Sequence, residues 1–263
     1  MKKLCIEYSI ISPGTERSGR SEGYMAITKP YKGARYLLPV SHKTDFSEPT
    51  KIALKCYDYS IENIAISRFE LIFSLNTKRF NITKKTKVLL CGFGPVGFGA
   101  MLAITKKKIK NFSILTSKNN LYDIAKQLNT NFTIVNDIEF DKYDYIIDAT
   151  GDGKFLQNLI KKAKPFTSII VLGTPRKNYL INALEIHRKN LSVIGAHEIT
   201  GFSAEFRNRM FHKLLKENVY VAQKLCYFIR HYMFDISLKE KLTEQNRDVF
   251  NINIFEKRFE YNE

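Results

Sequence analysis

The stretch Lys87–Gly99, Lys-Val-Leu-Leu-Cys-Gly-Phe-Gly-Pro-Val-Gly-Phe-Gly, carries the strongest chemical signature in the chain. An apolar run, Val88 to Leu90, breaks at Gly92, Gly94 and Gly97, and a helical pattern follows from Val96 to Lys106. Strand, G-x-G-x-x-G, helix is the arrangement that holds a dinucleotide. The first glycine permits a tight turn, the second lets the backbone approach a pyrophosphate, and the third lets helix and strand pack closely. The pyrophosphate then rests on the N–H groups of the helix start, which opens at Pro95 and Val96. A purely structural turn is the competing reading. The strand before it and the helix after it favour the nucleotide.

Other positions belong to the same chemistry. Folds of this kind that prefer NAD place an acid about 20 residues after the glycines, where it bonds the ribose 2′-hydroxyl. Here that point falls on Leu115-Thr116-Ser117-Lys118-Asn119, which has no acid. Ser117 and Lys118 suit a 2′-phosphate instead, so NADP is expected over NAD, with NAD still possible. The alternative makes Lys118 a solvated lysine at a helix start. Asp148-Ala149-Thr150-Gly151 and Leu172-Gly173-Thr174-Pro175 end two further strands at the carboxyl edge, where ligands of open α/β sheets bind. Thr150, Gly151, Gly173 and Thr174 are therefore expected at the cofactor, Gly173 beside a flat ring such as nicotinamide. A helix N-cap by Thr150 or Asp152 is compatible with this. His197 is a candidate proton donor, against a packing or interface role. Its neighbour Glu198 points the opposite way on an extended chain, so the two do not form a simple acid/base pair. His187 reads as structural or dimer-facing. His42, His212 and His231 show no ligand spacing, and no metal site is expected.

These positions need a framework, and the rest of the chain supplies one. Lys3–Ile11 reads as a strand leading into the turn Ser12–Arg17, and Tyr36–Val40 as a short strand at an edge or strand end because of Pro39. From Asp45 the pattern reads as helical, with Ile52, Ala53, Leu54 and Tyr57, then Ile61–Ile66, then a second helical stretch from Arg68 to Leu75. Strands and helices alternate from Lys87 onward: strands at Phe112–Thr116, Phe132–Val135, Tyr143–Ala149, Ser168–Leu172 and Leu191–Ile194, helices at Leu121–Leu128, Phe155–Ala163 and Ala183–Arg188. Such alternation predicts an α/β fold with a doubly wound parallel sheet. Ala204–Glu217, Tyr220–Met233 and Leu238–Gln245 read as helical, and Asn251–Phe259 as a closing strand.

Composition narrows the function classes. The 263 residues hold one large domain, or one full domain and a smaller one. No run of about 18 apolar residues is present, so no membrane span is expected. Glu7 interrupts the apolar start, which argues against a secretory signal and for the cytoplasm. Cys5, Cys56, Cys91 and Cys226 form no C-x-x-C pair, so neither a disulfide framework nor a zinc lobe is expected. The formal charge of +16 sits largely in lysine runs such as Lys106–Lys108. These fall where helices end and strands begin, and no nucleic-acid motif accompanies them, so no nucleic-acid partner is expected.

Gly92-Phe-Gly-Pro-Val-Gly97, Asp148-Ala-Thr-Gly151, Val171-Leu-Gly-Thr-Pro175 and Ile186-His-Arg-Lys-Asn-Leu-Ser-Val-Ile-Gly195 resemble, in order and spacing, the medium-chain dehydrogenase/reductase (zinc-type alcohol dehydrogenase-like) superfamily. The resemblance covers about residues 45–250. Ile10-Ile-Ser-Pro-Gly-Thr-Glu-Arg17 is similar to the segment that carries a catalytic zinc ligand in zinc members, and to the bacteriochlorophyllide dehydrogenase-like branch. Pro13 stands where the ligand cysteine would be, and the Gly-His-Glu motif and structural-zinc cysteines are missing. The glycines also come early in the chain. The resemblance therefore implies a Rossmann sheet (45–250, with leading helices), a reduced GroES-like remnant (1–44) and a C-terminal strand or tail (251–263). The remnant is expected to keep one strand, the turn and a short linker. Its Thr15, Glu16, Tyr24 and Tyr31 are weak catalytic candidates, Glu16 matching an acidic motif position. The implied activity is zinc-independent, NADPH-dependent hydride transfer to or from a small carbonyl, alcohol or activated alkene. A non-catalytic NAD(P)-binding scaffold subunit is the alternative. A homodimer formed around Ser192–Ile194 is implied by the same resemblance.

Overall fold

The computed structural model describes residues 4–11, 25–40, 50–135, 139–175, 179–235 and 249–257. Contacts divide the chain into two units. The second unit, Phe69–Thr200 with Asp248–Phe250, holds a six-stranded sheet. Its strands are β5 (Lys87–Cys91), β6 (Asn111–Leu115), β7 (Thr133–Val135), β8 (Tyr145–Asp148), β9 (Ser168–Val171) and β10 (Ser192–Gly195). The order is β10-β9-β8-β5-β6-β7, with every pairing parallel. Numbered from β5, that is the doubly wound order 3-2-1-4-5-6, which reverses between β5 and β8.

The sequence explains this sheet directly. A parallel strand is covered on both faces and reads as a continuous apolar run. Val88, Leu89, Leu90 and Cys91 are all buried, as are Ile146, Ile147, Ile169 and Ile170. Helix α2 (Pro95–Lys106) connects β5 to β6, and α3 (Leu121–Leu128) leads to β7. Helices α4 (Gly153–Lys162) and α5 (Ala183–Arg188) connect β8 to β9 and β9 to β10. Leu156, Leu159 and Ile160 of α4 share a core with Leu89, Cys91, Ile146 and Ile169. Asp152 caps α4 by accepting from the N–H groups of Lys154 and Phe155, and Asn182 caps α5 in the same way.

The first unit comprises Met1–Arg68, Gly201–Arg247 and Asn251–Glu263. Its sheet runs β11-β12-β1-β2-β3-β4. The strands are β1 (Ile6–Ile11), β2 (Met25–Thr28), β3 (Arg35–Leu38), β4 (Leu54–Tyr57), β11 (Ile229–Met233) and β12 (Ile252–Glu256). β12 lies between β1, which it meets antiparallel, and β11, which it meets parallel. Helix α1 (Ile61–Asn76) crosses the division between units at Arg68 and Phe69. Helices α6 (Ala204–Glu217) and α7 (Val219–Lys224) belong to the first unit. Asn208 of α6 accepts from the Lys55 N–H at 2.8 Å and donates to the Ala53 carbonyl at 3.1 Å, fixing the start of β4.

Several expectations change here. The helical pattern read over Ile52–Tyr57 is strand β4, stabilised by pairing with β3. The two stretches read between Ile61 and Leu75 are one helix, α1. Tyr220–Met233 is the short α7 followed by strand β11, not a single helix. The N-terminal part keeps more than one strand, a turn and a linker: it supplies β1–β4 to a six-stranded sheet. β11 and β12, from the C-terminal part of the chain, pair in the sheet of the first unit. The stretch Leu238–Gln245 lies outside the described residues.

Candidate functional site

The glycine-rich turn joins β5 to α2 in the second unit. Gly92 has φ +88°, a left-handed conformation that glycine adopts without a Cβ penalty. Its N–H donates to the Leu115 carbonyl at 2.9 Å, so the turn is held against the end of β6. A Cβ on Gly97 would stand 2.1 Å from the Gly92 carbonyl oxygen, so α2 starts as close to the turn as backbone permits. Gly94 differs from both. A Cβ there would meet nothing within 4 Å, and its φ is −88°. Gly94 is the N-cap of α2 and no side chain caps the helix; Pro95 follows at the first position. An open backbone surface at an uncapped helix N-terminus suits an anion.

The ends of β8 and β9 close on this turn. A Cβ on Gly92 would touch the Thr150 methyl at 3.0 Å, and one on Gly97 would lie 3.5 Å from Ala149 Cβ. Gly151 has φ +64°, and a Cβ there would stand 2.6 Å from the Thr174 carbonyl oxygen. A Cβ on Gly173 would stand 2.6 Å from the Gly151 nitrogen. The Leu172 and Gly173 N–H groups both donate to the Asp148 carbonyl, at 2.9 and 2.8 Å. The fold thus brings Gly92, Gly94, Pro95, Val96, Gly97, Thr150, Gly151, Gly173 and Thr174 to one carboxyl edge.

Asp148 is the buried charge-bearing group of this edge, 2% exposed. Burial raises its pKa, and the bonds from Thr150 act in the other direction. The carboxylate accepts from the Thr150 N–H at 2.9 Å and from its hydroxyl at 2.6 Å. Thr150 Oγ1 in turn accepts from the Asp152 N–H at 3.1 Å. The Thr150 side chain therefore orders the β8–α4 turn, and the helix cap is Asp152.

Ser117 and Lys118 lie just past β6, Ser117 exposed and Lys118 half-buried. Lys118 Nζ donates to the Val249 carbonyl at 3.2 Å. That contact, and the packing of Phe250 with Phe93 and Phe98, has no local sequence signal. His197 lies in a turn after β10. Its Nδ1 accepts from the Ile199 and Thr200 N–H groups, and its carbonyl accepts from Asn76 Nδ2 at 3.1 Å. The interactions drawn at His197 shape that turn. Tyr31 pairs with Ala34 across a tight turn of the first unit. Thr15, Glu16 and Tyr24 lie outside the described residues. Among the described residues, no group of three or more His, Cys, Asp or Glu side chains is placed to hold a metal. No helix of the described residues is long and apolar enough to cross a membrane.

No protein-family model matches the sequence, and no curated protein sequence matches it. Solved structures do. E. coli YhdH with bound NADPH superposes with TM-score 0.72 at 12% identity, over 97% of this chain and 90% of that one. Acetophenone reductase from Geotrichum candidum, in complex with NAD, gives 0.71 at 14% identity, over 97% and 89%. S. aureus TarJ gives 0.67 at 15% identity, over 98% and 91%. The chain shares its fold with these proteins.

Proposed function

We propose that the chain is a cytoplasmic, zinc-independent oxidoreductase. It uses NADP(H) and acts on a small carbonyl, alcohol or activated alkene. The observation that carries this reading is the open Gly94 surface on the uncapped N-terminus of α2, framed by Gly92 and Gly97. A pyrophosphate would lie against Gly94, Pro95, Val96 and Gly97. Ser117 and Lys118 would take the 2′-phosphate, since no acid follows β6 to repel it. Thr150, Gly151, Gly173 and Thr174 would border the ring that, when bound, supplies or accepts the hydride. The neighbours that carry NADPH and NAD support the cofactor assignment. Zinc independence rests on Pro13, which occupies the position of a ligand cysteine in the resembling family. Thr15 and Glu16 remain candidate substrate-side groups in that segment. A homodimer through β10 fits a strand that ends the parallel sheet with half-buried Val193 and Ile194.

The interactions of His197 favour one alternative, a cofactor-binding subunit without turnover. Its Nδ1 accepts from two N–H groups of its own turn, so that nitrogen has no proton to give.

Thermal shift with NADPH, NADP, NADH and NAD tests the cofactor claim. A ligand at 100 times its Kd stabilises a protein by about 2.7 kcal/mol, a shift easily seen. No shift with any of the four at millimolar concentration, which is on the order of typical cofactor saturation, refutes the assignment. NADPH oxidation across aldehydes, ketones, enones and imines then separates an enzyme from a silent subunit. Lys118→Asp is expected to move preference toward NADH; an unchanged NADPH-to-NADH ratio counts against Lys118.

A further inference from the structure

Val249 and Phe250 lie far along the chain from the glycine-rich turn, yet both belong to the same unit. Asn120, the residue before α3, holds Phe250 by both backbone polar groups. Its Oδ1 accepts the Phe250 N–H at 2.8 Å, and its Nδ2 donates to the Phe250 carbonyl at 3.0 Å. One carboxamide thus supplies both the donor and the acceptor that a neighbouring strand would supply. Two residues earlier, Lys118 Nζ donates to the Val249 carbonyl. The Phe250 ring is 1% exposed and lies 5.2 Å from Phe93 and 4.9 Å from Phe98, centroid to centroid. Phe93 and Phe98 meet edge-on at 6.2 Å.

The positions of those rings matter. Phe93 lies between the first two glycines, and Phe98 follows the third. One aromatic ring therefore braces the turn on both sides, while its backbone is fixed by the loop that carries Ser117 and Lys118. Glycine gives a turn its shape but no side-chain contacts, and it loses more conformational freedom on ordering than any other residue. Rigidity has to come from neighbours, and here the large fully buried neighbours are aromatic.

We infer that Val249–Phe250 is a positioning clamp for the cofactor site. Phe250 holds the Gly92–Gly97 turn in its binding geometry through Phe93 and Phe98. Asn120 seats the clamp, and the Val249 carbonyl fixes the direction of Lys118. This inference rests on the NADP reading above. Phe250 and Asn120 are positioning residues. They act through the turn and through Lys118.

The test uses the full chain with Asn120→Ala, Phe250→Ala and Phe250→Leu. Hydrogen exchange at the amides of Gly92–Phe98 is followed without cofactor, and Kd is measured for NADPH and NADH. Asn120→Ala and Phe250→Ala are expected to speed exchange across the turn by about tenfold or more, reporting easier local opening. NADPH binding is expected to weaken by about tenfold, with NADPH-over-NADH preference reduced in Asn120→Ala. Phe250→Leu, which keeps an apolar side chain there, is expected to recover most of the affinity. Variants that melt earlier but keep wild-type exchange across the turn and wild-type Kd values show a merely structural contact and overturn the inference. Faster exchange with unchanged Kd values overturns it equally. If Phe250→Ala does not fold, Asn120→Ala decides alone. A wild-type chain that binds none of the cofactors refutes the NADP reading instead, and the cofactor-free exchange data still decide whether the clamp orders the turn.

Discussion

Replacing Gly94 and Gly97 one at a time by alanine separates a glycine kept for a ligand from one kept for packing. At Gly97 the new methyl carbon would start 2.1 Å from the Gly92 carbonyl oxygen and 3.1 Å from its carbon. The obstacle is backbone, which cannot swing aside as a flexible side chain can. Overpacking costs about 1–3 kcal/mol, and a backbone clash belongs at the upper end. At roughly 2–4 °C per kcal/mol for a chain of this size, Gly97→Ala is expected to melt about 6–12 °C below wild type. At Gly94 the new methyl would meet nothing within 4 Å, and φ −88°, ψ −173° is open to alanine. The reduced freedom of the unfolded chain and the small change at an N-cap nearly offset, so stability should move by less than about 1 kcal/mol. That methyl occupies the surface on which a pyrophosphate would lie. Gly94→Ala is therefore expected to weaken NADPH binding by about tenfold or more, about 1.4 kcal/mol. Thermal denaturation followed by circular dichroism, and fluorescence titration with NADPH, give the two numbers. A Gly94→Ala protein that binds NADPH as wild type does would refute the placement of the pyrophosphate. A Gly97→Ala protein that melts with wild type would refute the packing argument.

Three further substitutions test other contacts. Burial raises the Asp148 pKa above 3.8 in the folded chain, so ionisation is opposed by folding and stability falls as pH rises through the folded value. Asn keeps an oxygen for both Thr150 bonds; Asp148→Asn should therefore gain melting temperature over wild type as pH rises from about 4 to 7, and a constant difference would refute this. Lys106 Nζ lies 2.8 Å from Glu70 Oε1, and the Glu70 side chain is only 1% exposed. Lys106→Met removes that ammonium and is expected to cost about 3 kcal/mol in urea denaturation, a loss under about 0.5 kcal/mol counting against it. Asn208→Ala removes two bonds to the segment entering β4 and should cost about 2 kcal/mol, with faster exchange at the Lys55 amide as its local signature.

The second unit was legible because its signals are local. A parallel strand such as Val88–Cys91 or Ile169–Ile170 is apolar along its whole length, and each glycine interrupts it where the chain must turn. The helix expected over Leu121–Leu128 coincides with α3 for the same reason: Leu121 and Ile124 recur on one face. The first unit was not legible in this way. β4 is four residues long and includes Lys55 and an exposed Tyr57, and β11 carries exposed Arg230 and His231. Over so few residues, a short run with mixed polarity fits a helix as well as a strand. What selects the strand is pairing across the chain. β11 is ordered by β12, and β12 by β1, so Ile254 faces Ile10 from the opposite end of the sequence.

The same argument explains which part of the site could be read. The glycine roles and the lack of an acid after β6 depend on spacing within some 30 residues, and a βαβ unit fixes that spacing. The clamp depends on Phe250 meeting Phe93 and Phe98 after the chain has left the unit and returned. Phe250 in isolation looks like any aromatic residue before a strand, and Asn120 like any residue ahead of a helix. At His197 the residue type suggests proton transfer, while the Ile199 and Thr200 N–H groups both donate to its Nδ1. A side chain's chemistry can be named from its type, but its availability is decided by the donors and acceptors that the fold brings within hydrogen-bonding distance, whether from its own turn, as at His197, or from across the chain, as at Lys118.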